Sequence, residues 1–133
     1  MQDFTKLQVW QKAHNITINV YKLTTQMPDD EKANASRSSR LTTICTDALR
    51  LISQIRRSSV SIESNLAEGC DRDNDKEFAR FIDISMGSSF ELRCQLIIAR
   101  DLGYIDSKQH QLYESKLMEV NRMLGSLLKK LRA

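Results

Sequence analysis

The C-terminal part of the chain has the pattern that most limits its fold, a series of apolar residues spaced alternately four and three positions apart. The series consists of Tyr113, Leu117, Val120, Leu124, Leu127 and Leu131. A repeat of about 3.5 residues places side chains along one face of an α-helix, which then packs on neighbouring helices at a shallow crossing angle. Such a helix is stable only when its apolar face is covered, so the pattern predicts a bundle of helices.

Three further stretches have the helical period, and the composition agrees with them. Four glycines and one proline in 133 residues are too few turn-forming residues for a fold rich in β-strands. The predicted apolar face of the first helix consists of Leu7, Trp10, His14, Ile18 and Tyr21. That of the second consists of Ile44, Ala48, Leu51, Ile55, Ile62 and Leu66. That of the third consists of Phe78, Phe81, Ser85, Ser88, Leu92, Gln95 and Ala99.

The helix ends are marked by residues with known preferences. Pro28 ends the first helix, because the residue before a proline avoids helical backbone angles. The second helix starts near Leu41 and is roughly 40 Å long if it is continuous to Gly69, where we expect a left-handed residue. Asn74 and Asp106 are predicted N-caps of the third and fourth helices, each with Glu or Gln three positions later. Short connections favour antiparallel neighbours, so we expect one all-α domain over residues 1–133, an antiparallel up-down-up-down four-helix bundle.

No constellation of catalytic or metal-binding residues is evident in the sequence. Carboxylate-bridged metal sites in bundles need Glu three positions before His on two helices, and neither His14 nor His110 has that neighbour. We therefore interpret His14 as a hydrogen-bonded packing residue. The expectation is a protein that is not an enzyme and binds no metal or cofactor.

The cysteines and the hydropathy pattern favour a cytoplasmic protein. Cys45, Cys70 and Cys94 are odd in number and form no closely spaced pair, which is atypical of a secreted disulfide framework. We expect Cys70, just after Gly69, to be the most exposed thiol. The chain begins without a signal-peptide pattern and contains no apolar stretch of ~18 residues, so no membrane association is expected.

The segment from Gln54 to Gly69 is unusually polar for a helix of a bundle. Ser61 and Asn65 are four positions apart and share a face of the helix, as do Ser64 and Glu68. Buried polar groups need partners, so such a stripe indicates either a hydrogen-bond network between helices or subunits, or a recognition surface. The sequence leaves both interpretations open.

Four blocks of the sequence resemble a known family. The blocks are Phe4 to His14, Gln54 to Gly69 with the following Arg72, Lys76 to Ser88, and Glu91 to Ile105. In this order they resemble the four-helix-bundle proteins encoded in intervening sequences of bacterial 23S ribosomal RNA genes. One departure is an insertion between Glu31 and Leu51. We expect residues 32–50 to form an extra loop or, in part, to extend the second helix.

The resemblance implies assembly as a homopentamer, and the polar stripe predicts the subunit contacts Ser61, Asn65 and Glu68. A related branch of the family, the accessory variability proteins of diversity-generating retroelements, binds a reverse transcriptase and its RNA. The resemblance therefore also implies a reverse transcriptase as a candidate partner. It does not imply a settled activity.

The distribution of cations supports a second partner, RNA or DNA. The net charge is only +3, but five cations are expected around the second connection: Arg56, Arg57, Arg72, Lys76 and Arg80. Repeated over five subunits, such a cluster would bind phosphates with low sequence specificity. We expect no exposed aromatic residue beside it and therefore little base stacking. The alternative is a protein–protein interaction module with no role for nucleic acid.

Overall fold

A computed structural model describes residues 3–27 and 39–133, with side chains in the second range from residue 47 onward. Its four α-helices are α1 (Gln8–Thr25), α2 (Ser39–Cys70), α3 (Asp75–Asp101) and α4 (Ser107–Leu131), and a 3₁₀ turn at Phe4–Lys6 precedes them. The described residues include no β-strand. None of the described helices combines the length and apolarity needed to cross a membrane.

The inserted residues lengthen α2 at its N-terminal end. Residues 39–50 are helical and continuous with the rest of α2, which has 32 residues and is about 48 Å long. The predicted loop ahead of them and the predicted break at Pro28 lie outside the described residues.

Contacts between neighbouring helices confirm the antiparallel bundle. Between α1 and α2, His14 meets Glu63 and Thr24 meets Arg56, so the numbering rises on one helix as it falls on the other. The same reversal relates α2 to α3, α3 to α4 and α4 to α1. The order around the bundle is therefore that of the chain, as expected for short connections.

The core confirms the predicted heptad of α4. Leu117, Val120 and Leu124 are fully buried, and Tyr113 is buried with its hydroxyl donating to the backbone oxygen of Asn19 at 2.8 Å. Burial raises the pKa of the Tyr113 phenol. Leu127 and Leu131, nearer the end of the bundle, are half-buried against the same core.

The predicted apolar face of α1 is wrong. Ile18 and Tyr21 remain 44% and 43% exposed, and the buried face of α1 instead comprises Val9, Ala13, Ile16, Thr17, Val20, Leu23 and Thr24. Small residues in this face let α2 come close, since Thr17 Oγ1 reaches the backbone oxygen of Ser59 at 3.1 Å.

His14 is accordingly a surface residue and not part of the core. Its ring stacks on Trp10 with centroids 4.9 Å apart. Its Nδ1 lies 2.9 Å from Oε2 of Glu63. His14 therefore bridges α1 and α2 from outside.

The two glycines predicted to end helices behave differently. Gly103 has φ +80, and the bonds Gly103 N to Arg100 O and Tyr104 N to Ala99 O close α3 in a Schellman motif. Gly69 lies inside α2, where an added Cβ would sit 2.6 Å from Cδ2 of Phe78. Gly69 is therefore required by a close approach of α3 and not by a left-handed backbone.

Gly87, unlike Gly69, faces open space, with nothing within 4 Å of an added Cβ. The predicted exposure of Cys70 is wrong. Cys70 is buried and burial raises the pKa of its thiol, whereas Cys94 is exposed. The continuation of α2 through Cys70 explains the difference, because it turns this side chain toward the core.

Candidate nucleic-acid interface

The five predicted phosphate-binding cations form two separate groups. Arg72, Lys76 and Arg80 lie at the connection between α2 and α3. Arg57 precedes Gly69 by 12 residues, which is about 18 Å along the helix axis. The expectation of one cluster around the connection is therefore wrong, because α2 is a continuous helix that carries Arg56 and Arg57 away from its end.

The first group, here called the connection cluster, consists of Arg72, Lys76 and Arg80. All three residues are exposed, and the Arg72 guanidinium lies 4.8 Å from the centroid of the Phe81 ring. Residues 71–80 contain four carboxylates and only these three cations. Two of the carboxylates are in the first turn of α3, where they suit the helix dipole. The field of the connection cluster is consequently weak.

The second group lies on the outer face shared by α1 and α2. The Arg56 guanidinium lies 4.7 Å from the centroid of the Tyr21 ring, and its Nε donates to Thr24 Oγ1 at 2.8 Å. Arg57 is exposed beside it. A surface cavity of about 400 Å³ is lined by Tyr21, Leu49, Ile52, Ser53, Arg56 and Arg57. We call this cavity the Tyr21 groove.

The Tyr21 groove differs from the connection cluster in having no acidic residue among those that line it. α1 contains Lys12 and Lys22 but no Asp or Glu. On α2 no acidic residue occurs between Asp47 and Glu63. Cations with few counter-charges beside them give a positive local potential.

The expectation that no exposed aromatic residue flanks the cations is wrong, since Tyr21 does so. The sequence pattern predicts Tyr21 on the apolar face of α1. A better signal was present, because the residues that are buried follow the same 4-3-4-3-4 spacing as the heptad of α4. Those residues are Val9, Ala13, Ile16, Val20, Leu23 and Met27.

The polar stripe of α2 is partly used inside the chain. Ser61 Oγ lies 2.7 Å from Ser88 Oγ of α3, and Asn65 Nδ2 donates to the backbone oxygen of Ser61 at 2.8 Å. Ser61 and Asn65 are half-buried, whereas Glu68 is exposed. Ser61 thus bonds across to α3 and Asn65 bonds within α2, and the part of all three residues in subunit contacts stays a prediction.

The described side chains include no group of three or more His, Cys, Asp or Glu residues that could hold a metal ion. The buried polar atoms without a partner in this part of the chain are Ser89 Oγ, Gln95 Oε1, His110 Nε2 and both amide atoms of Asn121.

Comparison with solved structures gives the fold. A protein of unknown function from the S23 ribosomal protein family of Bacteroides thetaiotaomicron superposes with a TM-score of 0.71 at 20% sequence identity, covering 91% of this chain and 98% of that chain. At that identity the likeness concerns the fold alone. No curated protein matches the chain.

Comparison with family models gives the family. The model of the 23S rRNA-intervening sequence protein matches residues 39–126. This range contains α2, α3 and most of α4, more than half of the chain. The protein therefore belongs to the 23S rRNA-intervening sequence protein family.

Proposed function

We propose that the protein is a non-enzymatic, homo-oligomeric scaffold that binds RNA or DNA through exposed cations with low sequence specificity. The observation that carries the proposal is the pair Arg56 and Arg57 in a stretch of α2 that has no acidic residue between Asp47 and Glu63. Such a surface attracts phosphates regardless of the bases, and its affinity falls steeply with salt.

The connection cluster is a secondary contact in this proposal. Arg72, Lys76 and Arg80 point to solvent, but their carboxylate neighbours reduce the attraction for phosphate. We therefore expect substitutions in the connection cluster to weaken binding less than substitutions at Arg56 and Arg57.

Assembly as a homopentamer is the second part of the proposal. It is supported by family membership and by apolar side chains on the outer surface of α3, since large exposed apolar areas are typical of interfaces. Ile84 and Ile98 are each 43% exposed, and Leu102 just after α3 is 59% exposed. Five chains of net charge +3 would carry +15. Light scattering coupled to gel filtration should give five times the 15.3 kDa chain mass, and a monomer mass at every concentration would contradict this part.

The finer role in the proposal is that of an accessory protein to the reverse transcriptase of a diversity-generating retroelement. Resemblance to the accessory variability proteins supports this role. A tagged copy of the protein should then co-purify with a reverse transcriptase encoded beside its gene. Absence of such a gene or of the complex would remove this role and leave the general scaffold.

The binding proposal is tested by fluorescence anisotropy with a labelled RNA of mixed sequence at several salt concentrations. The wild type should bind at low salt, and Arg56→Gln with Arg57→Gln should reduce the salt slope by about 0.7 for each lost contact with single strands. Arg72→Gln with Arg80→Gln removes the same charge and should weaken binding less. A charge-matched control is Lys108→Gln with Arg122→Gln on α4, which should change the affinity least.

Helicity by circular dichroism and mass by light scattering establish that each variant is intact. If the wild type does not bind at low salt, the nucleic-acid proposal fails. The protein–protein interaction module then becomes the better account of the chain.

A further inference from the structure

We infer that the Tyr21 groove is a site for unpaired nucleotides, in which a base stacks on the Tyr21–Arg56 pair and Arg57 contacts a phosphate. The inference rests on the proposed function, which requires only that nucleic acid binds to the exposed cations. It adds the position of the site and the class of nucleic acid that the site accepts.

The stacking surface is held in place before any ligand arrives. The Arg56 guanidinium is fixed over Tyr21 by its bond to Thr24. Thr24 is itself buried, and its hydroxyl donates to the backbone oxygen of Val20 at 2.8 Å. A positioned ring and guanidinium are the groups on which unpaired bases stack in proteins that bind single strands.

The rest of the Tyr21 groove suits a nucleotide. Leu49, 38% exposed, and Ile52 form an apolar wall, and Ser53 adds a hydroxyl that can donate or accept a hydrogen bond. Arg57 lies in the same lining and is exposed, where a phosphate can reach it. The volume of about 400 Å³ lies in the range of small-molecule sites.

Two other arginine–aromatic pairs in the described residues lack this charge pattern. Arg93 lies 5.4 Å from the Phe90 ring, but its Nε donates to Oε1 of Glu114 at 2.9 Å. Arg72 lies over Phe81, among the four carboxylates of residues 71–80. The pair in the Tyr21 groove is thus the one whose guanidinium is available to an anion.

The expected ligand is a single strand because the faces of paired bases are covered. In a duplex each base is stacked on its neighbours, and a protein reaches it only at the groove edges. A base that stacks on Tyr21 must therefore come from a single-stranded segment, a loop or a bulge.

The test compares a labelled single-stranded RNA of mixed sequence with the same sequence as a duplex, by fluorescence anisotropy. Tyr21→Leu should weaken binding of the single strand by roughly 5- to 150-fold, the effect of losing one stacked base. It should leave binding of the duplex unchanged. Tyr21→Phe should keep the wild-type affinity because the ring remains.

Phe90→Leu is the matched control, since Phe90 is 52% exposed beside an arginine whose charge Glu114 neutralises. It should leave the affinities for both RNAs unchanged. Ultraviolet crosslinking of wild-type protein to a bromouridine-labelled single strand adds a measurement without substitution. It should modify the α1 peptide that contains Tyr21.

The outcomes separate this inference from the proposed function. If the wild type binds RNA but Tyr21→Leu binds the single strand equally well, or the crosslink lies elsewhere, the groove is not the site and the proposed function stands. If the wild type binds no RNA, the proposed function itself fails. If Tyr21→Leu lowers the oligomer mass, the groove is a contact with a second copy of the chain and the inference is overturned.

Discussion

The two sides of α2 differ in how closely the neighbouring helices pack against them. Toward α3 the packing is close, since Gly69 abuts the Phe78 ring and Ser61 Oγ lies 2.7 Å from Ser88 Oγ. Toward α1 the long side chains of Arg56 and Tyr21 border a cavity of about 400 Å³. The α3 side of this helix is thus closely packed within the chain, whereas its α1 side borders an open groove.

This comparison explains why some polar residues of α2 are hydrogen-bonded within the bundle and others remain exposed. Small residues bring two helices close enough for serine hydroxyl groups to bond across the seam, which satisfies them. Long cationic side chains keep their charged ends at the surface even where their stems are packed. Local polarity is therefore a poor guide to function until the partner helix is known.

The largest expected effect comes from comparing a buried residue of α2 with an exposed residue of the same helix. Ile62 is fully buried, so Ile62→Ala should lower the free energy of unfolding by about 2–5 kcal/mol through lost contacts and a cavity. Val60, two positions earlier and 38% exposed, is the control, and Val60→Ala should change it by less than ~0.5 kcal/mol. Chemical denaturation measures both. Equal effects would show that Ile62 is no more closely packed than the exposed surface.

The next effect concerns the close approach of α3. Gly69→Ala should cost roughly 1–3 kcal/mol of stability, because the added methyl group meets the Phe78 ring and must displace it. Gly87→Ala, where an added Cβ meets nothing within 4 Å, should instead stabilise by about 0.5–1 kcal/mol through helix propensity. Thermal and chemical unfolding test the pair. A stabilising Gly69→Ala would mean that the seam is looser than described.

A smaller effect tests whether the polar stripe serves the chain or its assembly. Asn65→Ala removes the bond to the backbone of Ser61 and should lower the free energy of unfolding by about 0.5–1.5 kcal/mol. The oligomer mass should not change if the network within the chain is the main role of Asn65. A drop in mass, measured by light scattering at the same concentration, would instead place Asn65 in a subunit contact. Glu68→Gln on the exposed part of the stripe is the companion variant.

The smallest effect compares single cations on the two surfaces. Arg57→Gln should reduce the salt slope of single-stranded RNA binding by about 0.7, the share of one phosphate contact. Arg80→Gln removes the same charge from the connection cluster and should reduce the slope less. Anisotropy titrations at four or more salt concentrations resolve the difference. A larger effect of Arg80→Gln would move the main contact to the α2–α3 connection.

Most of α4 was predictable because its signals are local. Asp106 and Gln109 form the expected capping box, and the heptad that follows defines one face without a competitor. The end of α3 at Gly103 was predictable for the same reason. Caps and turns depend on residues within a few positions of one another, which the sequence displays directly.

The face of α1 was not predictable in the same way because two series of residues fit the helical period. One series contains Trp10, Ile18 and Tyr21, and the other contains Ala13 and Ile16. The second series is buried because Ala13 and Thr17 are small enough for α2 to approach. The choice depends on the shape of the partner helix and not on hydrophobicity alone.

The sequence by itself determined that this chain forms a helical bundle and where α3 and α4 are capped. Those properties follow from periodicity and from residues close together in the chain. Only the tertiary structure decided which cations lie beside an aromatic ring and away from carboxylates. Tyr21 and Arg56 are 35 positions apart, and the register between α1 and α2 that brings them together is set by packing along the whole interface.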